Sequence, residues 1–137
     1  MDQDIAWLVD RTQIRELTAR YGRFFDDADP ENFASTFTDD GSMEVNGSLV
    51  AAGREQLAAM CSNTPWGTMH VTVDPTIEVD GDTAVQVVTI LVVRRAKSMK
   101  EPSKVVGSGR YRDDLVRTPD GWRFARRTVV LDGWEQH

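Results

Sequence analysis

The segment Ile77-Glu78-Val79-Asp80-Gly81-Asp82-Thr83-Ala84 decides the fold of this chain, because it joins two runs of strand-forming residues through a tight turn. Asp-Gly at the centre of such a turn is typical of a β-hairpin, since both residues tolerate the backbone that the turn requires. Before it, apolar and polar residues alternate in Thr68-Met69-His70-Val71-Thr72-Val73, which predicts a strand with one apolar face and one polar face. After it, residues 83–95 form the next predicted strand.

Two more strands are predicted beyond a basic loop at residues 97–104. They cover residues 105–116 and 122–131 and are joined by the turn Thr118-Pro119-Asp120-Gly121. Gly107 and Gly109, at alternate positions of the first of them, permit a sharp bend. Hairpin-linked strands that follow helices predict an α+β fold, in which helices cover one face of a curved antiparallel sheet and enclose a conical cavity.

Three helices are predicted before the strands. The first has its apolar residues three and four positions apart, which indicates burial on one side; these residues are Ile14, Leu17, Tyr21 and Phe24. Asp10 followed by Gln13 resembles a capping box, so we expect a helix start there after a short turn.

The second helix is predicted to begin at Asp29-Pro30, where aspartate caps and proline takes the first turn. We expect it to continue through Phe37 and to end at Asp39-Asp40-Gly41. The third is predicted from Arg54 to Cys61, after Gly53.

Length and composition limit the functions to consider. The 137 residues fit a single domain, and the formal charge of −6 argues against nucleic acid as a partner. One cysteine, Cys61, fits a reducing compartment. The acidic N-terminus does not resemble a signal peptide, and the longest apolar stretch is too short to span a bilayer. We therefore expect a soluble, cytoplasmic protein without a membrane partner.

Tyr21, Asp26 and His70 are the candidate catalytic residues, because a hydroxyl, a carboxylate and an imidazole can together move a proton. Asp26 lies at a helix C-terminus, where a negative charge is unfavourable, and it could simply be a solvated helix end. His70 lies on the polar face of its strand, which could be the solvent side or a cavity wall. Tyr21 could equally be a core aromatic residue.

Other motifs give weaker signals. There is no phosphate loop, metal-ligand spacing or nucleophile turn, so neither a metal nor a cofactor is expected. The basic loop is read as a solvated hairpin tip. Trp66 could line a pocket mouth or belong to the core, and at most one residue of the Arg126-Arg127 pair can point inward.

Several segments resemble the SnoaL-like branch of the nuclear transport factor 2-like superfamily, and the resemblance covers nearly the whole chain. It implies a single domain at residues 1–137. Its anchors are Ile14-Arg15-Glu16-Leu17 with Tyr21 and Asp26, residues 33–41, His70 with residues 77–84, Gly109-Arg110-Tyr111, residues 120–123 and Arg126-Arg127. The resemblance implies an α+β barrel, a cone formed by a curved antiparallel sheet and three helices.

The resemblance to dehydratases and a dehydrochlorinase of this superfamily also implies an activity, a cofactor-independent elimination on a small hydrophobic, cyclic molecule. In it His70 would be the general base, Asp26 would hold the imidazolium, and Tyr21 would contact the substrate carbonyl or assist the leaving group. Trp66, Tyr111 and Arg127 are the predicted substrate-binding residues. An isomerase, a polyketide-type cyclase and a non-catalytic binding domain remain alternatives.

A homodimer or homotrimer is expected as well. Both sides of the 83–95 strand are apolar, so the face that the helices leave uncovered should also find a partner; its residues are Val85, Val87, Leu91 and Val93.

Overall fold

The computed structural model describes residues 2–134, so the second histidine, His137, lies outside the described residues. The three helices are α1 (Gln3–Asp26), α2 (Pro30–Ser35) and α3 (Arg54–Asn63). The six strands are β1 (Phe37–Val45), β2 (Ser48–Ala52), β3 (Thr68–Asp80), β4 (Thr83–Arg94), β5 (Lys104–Thr118) and β6 (Gly121–Trp134). They form one sheet in the order β2-β1-β6-β5-β4-β3, which confirms the predicted α+β class.

The sheet is mixed and open. Its neighbouring strands are antiparallel, except that β1 runs parallel to β6. Strands β2 and β3 are its two edges, so the curved sheet does not close on itself as a barrel would. A cavity lies between the helices and the sheet, as the sequence predicted, and it is lined by Phe25 of α1, Met60 of α3 and Ile90 of β4.

Helix α1 is continuous through Asp10, so the predicted restart at a capping box was wrong. The helix begins after Asp2, whose side chain accepts a hydrogen bond from the Asp4 N–H. Asp10 does not cap a helix. Its carboxylate instead binds two side chains beside the turn that joins β5 to β6. Arg117 donates to it at 2.7 and 3.0 Å, and the indole of Trp122 donates at 3.1 Å.

The second predicted helix was too long, and two strands were missed. Asp29 does cap α2, but the helix ends at Ser35, and Asp39-Asp40-Gly41 lies inside β1. Gly41 is required there because a Cβ would lie 2.8 Å from the Phe37 Cβ and 3.1 Å from the Phe124 carbonyl oxygen. The residues that suggested a turn therefore lie in an irregular strand that passes close to β6. The third helix was confirmed, and it extends to Asn63.

Bends in the middle of the sheet give it curvature. The register shifts between Val92 and Val93 in β4 and again between Ser108 and Gly109 in β5. A Cβ on Gly109 would lie 2.1 Å from the Val130 carbonyl oxygen, so the bend depends on glycine at this position. The predicted bend at this part of the strand is therefore present.

The polar face of β3 is the inner one. Helix α1 packs directly on it, with the Gly22 Cβ position 3.6 Å from the His70 carbonyl oxygen. Met69 and Val73 are exposed on the opposite, outer face. The helices in residues 2–134 include none that is long and apolar enough to cross a membrane.

Candidate active site

Asp26 and His70 come into contact where the end of α1 meets β3. The Asp26 carboxylate accepts hydrogen bonds from the His70 backbone N–H at 3.1 and 3.0 Å. Its Oδ1 atom lies 2.5 Å from the ring Nδ1 of the same histidine. The two side chains are only 10% and 11% exposed, so the pair is largely shielded from water. The contact expected from the sequence is present.

The position of Asp26 at a helix end has a structural reason. Strand β3 is an edge strand, so the N–H groups on its free side need partners other than a neighbouring strand. The carboxylate supplies one, for His70. The Asp26 carbonyl, one of the acceptors left over at a helix C-terminus, accepts from Arg95 Nη2 at 3.0 Å. The acid that is unfavourable for the helix alone thus joins the helix to the sheet.

The surroundings of the ring assign the roles of its two nitrogens. Because the partner of Nδ1 is an acceptor, Nδ1 carries the proton and Nε2 is the basic atom in the neutral ring. No side chain of the described residues hydrogen-bonds to Nε2. The ring stacks on Phe25 with 4.5 Å between the centroids, which fixes its plane. This arrangement leaves one basic nitrogen for a ligand.

Two cavities meet at this histidine. The inner one has a volume of about 310 Å³ and mostly apolar walls, which include Met43, Ile90 and Tyr111. The outer one, of about 620 Å³, is lined by Trp66 and by the basic residues Arg94, Arg95 and Lys97. Phe25, Thr64, His70 and Val92 line both. Each volume lies in the range of small-molecule sites.

The two tyrosines occupy different positions. Tyr111 lines the inner cavity, as predicted for a substrate-binding residue. Tyr21 is 1% exposed and lines neither cavity, because its ring packs among Phe33, Phe37 and Phe124. Its hydroxyl donates to Met43 Sδ at 3.4 Å. A direct contact between Tyr21 and a substrate stays a prediction, and the position of the side chain favours Tyr111 instead.

Burial raises the pKa of both phenols. The raised pKa of Tyr111 is opposed by the Arg127 guanidinium and by a hydrogen bond with Tyr21. The pKa of Tyr21 is raised well above its usual value of 10.0, first by burial and then by the neighbouring Tyr111 phenol. Tyr111 is therefore a neutral phenol in the physiological range, able to donate a hydrogen bond into the cavity.

Arg127 lies beneath Tyr111 and does not line either cavity. Its guanidinium is 3.6 Å from the centre of the Tyr111 ring and 4.2 Å from that of Tyr21. Its Nε is 2.9 Å from Asp113 Oδ1, and both side chains are completely buried. The substrate contact predicted for Arg127 is untested, and the structure gives the residue a supporting position behind the cavity wall.

Asp113 and Gln86 complete this buried group, and sequence reasoning missed both. Gln86 Nε2 donates to Asp113 Oδ2 and to Thr18 Oγ1, each at 2.8 Å. Burial raises the pKa of Asp113, while Arg127 lowers it. A signal was available: Gln86 lies at a core position between Ala84 and Val88, where a polar residue calls for a buried partner.

Trp66 lies at the mouth of the outer cavity. It is 65% exposed, and the Arg95 guanidinium stacks 4.9 Å from the centre of its ring. This agrees with the expected position at a pocket mouth. Residues 2–134 contain no group of three histidine, cysteine or acidic side chains placed to hold a metal ion. What the arrangement offers chemically is a basic nitrogen with a carboxylate behind it.

Known proteins share this architecture. The sequence model of the SnoaL-like domain family matches residues 7–128 of this chain. A nuclear transport factor 2-like protein with a cystatin-like fold from Novosphingobium aromaticivorans is 32% identical, with a TM-score of 0.85 over 94% of this chain and 86% of the other. A protein of unknown function from Mycobacterium tuberculosis is 30% identical, with a TM-score of 0.86 over 96% and 77% of the two chains.

A candidate scytalone dehydratase from Novosphingobium aromaticivorans shares the fold at 22% identity, with a TM-score of 0.75 over 95% of this chain and 91% of the other. The match of the domain model to most of the chain, together with the cone of six strands and three helices, establishes the family. The chain belongs to the SnoaL-like family of the nuclear transport factor 2-like superfamily.

Proposed function

We propose that the protein is a cofactor-independent lyase that removes a leaving group from a small hydrophobic, cyclic molecule, with His70 as the general base. The observation that carries this proposal is the contact of His70 Nδ1 with Asp26 at the border of two cavities. A histidine anchored through one nitrogen and facing a cavity is placed to accept a proton with the other.

The elimination would proceed by proton transfer from carbon. His70 Nε2 takes a proton from the carbon next to a carbonyl, and the electron pair left behind forms the new C=C bond as the leaving group departs from the neighbouring carbon. The Asp26 carboxylate stabilises the imidazolium that forms. When the leaving group is hydroxide, the imidazolium returns the proton to it, so that water is released and the histidine is neutral again.

Tyr111 is the phenol best placed to assist. It lines the same cavity as His70, and its raised pKa keeps the hydroxyl protonated. A hydrogen bond from this hydroxyl to the substrate carbonyl would stabilise the negative charge that develops on its oxygen. The role that the sequence suggested for Tyr21 thus passes to Tyr111, with Tyr21 and Arg127 packed behind it.

Two alternatives use the same cavity. An isomerase or cyclase would take the proton in the same way and lose no leaving group. A binding domain would keep the ligand unchanged. The likeness to a candidate dehydratase supports the fold and does not choose between these reactions, because fold alone does not determine function.

The decisive experiment compares the wild type with His70→Gln on a panel of β-hydroxy ketones, β-hydroxy esters and halogenated cyclic compounds. Absorbance reports the conjugated product of elimination, and NMR in D₂O reports exchange at the carbon acid. We expect product from the wild type and a loss of about 10²–10⁴-fold in the variant, the range for removing a general base.

The outcomes separate the alternatives. Deuterium uptake or a rearranged product without loss of the leaving group would assign an isomerase or cyclase to the same histidine. Equal ligand binding by both proteins, without turnover or exchange by either, would contradict the lyase and leave a binding domain.

A further inference from the structure

The outer cavity has a charge opposite to that of the whole protein. The chain has a formal charge of −6, yet three cationic side chains and one carboxylate line this cavity. The cations are Arg94, Arg95 and Lys97, and the carboxylate is that of Glu101. Positive charge collected at one opening of an acidic protein attracts anions to that opening.

Glu101 offsets one of these three positive charges, and it also has a structural role. Its Oε1 accepts a hydrogen bond from the backbone N–H of Lys97 at 2.9 Å, so the acid holds the loop between β4 and β5 in shape. The ammonium group of Lys97 is exposed and makes no ion pair with the described residues. Three cations against one carboxylate leave the lining of this cavity with a surplus of positive charge.

Arg95 has a donor left over. Its Nη2 binds the Asp26 carbonyl at 3.0 Å and its guanidinium stacks on Trp66, which together hold the side chain in place. Its Nε is buried and has no hydrogen-bond partner in residues 2–134. Protein atoms enclose this N–H, but Nη1 carries two further N–H donors that no hydrogen bond of the described residues uses, and a fixed guanidinium in the cavity lining can offer them to an anion.

The inner cavity favours apolar groups, in contrast to the cationic outer cavity. Its walls are mainly aliphatic and aromatic side chains, and a ligand that enters it must be apolar. His70 lies between the two environments, because it lines both cavities. A single ligand that fills both would be charged at the outer end and apolar at the inner end.

We propose that the ligand of this site is an amphipathic acid, whose anionic group binds Arg95 and Lys97 in the outer cavity while its apolar body lies in the inner cavity. This proposal rests on the site of the proposed function and adds to it the chemical class of the substrate. It makes Arg95 a specificity-determining residue, since the residue selects the anion and takes no part in the proton transfer.

Two fluorescent probes with the same ring system test this directly. 8-Anilinonaphthalene-1-sulfonate carries an anionic group, and N-phenyl-1-naphthylamine is the same molecule without it. Both become bright in apolar surroundings, so a titration gives a dissociation constant for each. We expect the wild type to bind the sulfonate about ten-fold or more tightly than the neutral probe, as a charged hydrogen bond allows.

Variants of the loop test whether Arg95 and Lys97 cause the preference for the anionic probe. Arg95→Gln should weaken the sulfonate about ten-fold and leave the neutral probe unchanged, with Lys97→Gln acting in the same direction. Lys100→Gln is the matched control, because it removes the same charge from the same loop at a residue that lines neither cavity. In the wild type, added salt should weaken the sulfonate and spare the neutral probe, a readout that needs no variant.

Equal affinity for the two probes, or equal effects of Arg95→Gln and Lys100→Gln, would overturn the proposal. Neither result would affect the lyase, which is judged by product formation and by His70→Gln. Conversely, charge-selective binding at Arg95 by a protein that turns nothing over would support the amphipathic ligand and contradict the lyase.

Discussion

Asp26 binds His70 at two points, through the backbone N–H and through the ring Nδ1. The first contact attaches the edge strand β3 to the end of α1, and the second sets the orientation of the imidazole. One carboxylate therefore serves both the fold and the proposed chemistry. Substitutions that keep its shape and remove its charge can separate the two roles.

Asp26→Asn should lower the turnover rate about 10²–10⁴-fold with little loss of stability. The amide oxygen can still accept from the His70 N–H, but a neutral group no longer stabilises the imidazolium. Asp26→Ala should also reduce the free energy of unfolding by about 1–3 kcal/mol, because it leaves a shielded N–H without its acceptor. Steady-state kinetics and urea unfolding measure the two effects.

Asp27→Asn is the control for both measurements. It makes the same chemical change at the neighbouring residue, whose side chain is exposed. We expect wild-type rate and stability. If Asp26→Asn keeps full activity, the carboxylate is only a structural link between helix and strand.

Arg127→Met should destabilise the protein by about 3–5 kcal/mol, because it leaves the buried Asp113 carboxylate without its ion-pair partner. Arg127 lowers the raised pKa of Asp113, so its removal moves that pKa higher still. A carboxyl whose native pKa lies above its unfolded value stabilises the fold most when protonated. The variant should therefore regain more stability than the wild type as the pH is lowered towards about 4, because its Asp113 pKa is raised further.

A double variant tests whether the charge pair itself is needed. Arg127→Met with Asp113→Leu removes both charges, and apolar replacements of a buried pair are often neutral or stabilising. We expect it to be more stable than Arg127→Met alone in urea unfolding. An additive loss from the two changes would show that the pair is not the source of the destabilisation.

Regular patterns in the sequence predicted the regular parts of the fold. The alternation around His70 and the Asp-Gly turn define β3 and β4 closely, since both depend on neighbouring residues alone. The segment around Gly41 could not be predicted in this way. Its strand forms because β6, some eighty residues further on, provides a parallel partner, and the glycine permits the close approach.

The sequence predicted the contact between Asp26 and His70, whereas the catalytic roles of these residues stay predictions. Residue types and the family resemblance were sufficient to choose Asp26 and His70. The face of β3 that carries His70 was ambiguous, because alternation does not reveal which side a helix covers. Tyr21 and Arg127 do not line either cavity, which sequence spacing does not reveal, and their predicted contacts with a substrate stay predictions.

Lowering the pH should reduce the free energy of unfolding, partly because Asp10 becomes protonated. Its pKa is lowered below 3.8, mainly by Arg117 and also by Trp122, against the effect of burial. The native carboxyl therefore binds its proton more weakly than the unfolded one. Stability is fully present above about pH 4 and is lost as the pH falls through the native pKa. Arg117 is 38% exposed, so solvent screening limits the contribution to about 1 kcal/mol.

The check is urea unfolding of the wild type and Asp10→Asn between about pH 6 and pH 2. We expect the variant to be less stable at the upper end and the difference to close in acid. Asp120→Asn, at an exposed turn residue, should follow the wild type throughout. A difference that stays constant with pH would mean that Asp10 contributes through packing and not through its charge.

We expect the protein to form a dimer or trimer through the outer face of its sheet, as its apolar residues suggested. Rows of cross-strand neighbours place Met69 beside Val93 and Val105 on this face. A glutamate here would put a charge into the contact, so Met69→Glu should shift sedimentation towards the monomer. Met99→Glu makes the same change at a fully exposed loop residue and should leave assembly as it is. A wild type that sediments as a monomer at micromolar concentration would contradict this prediction.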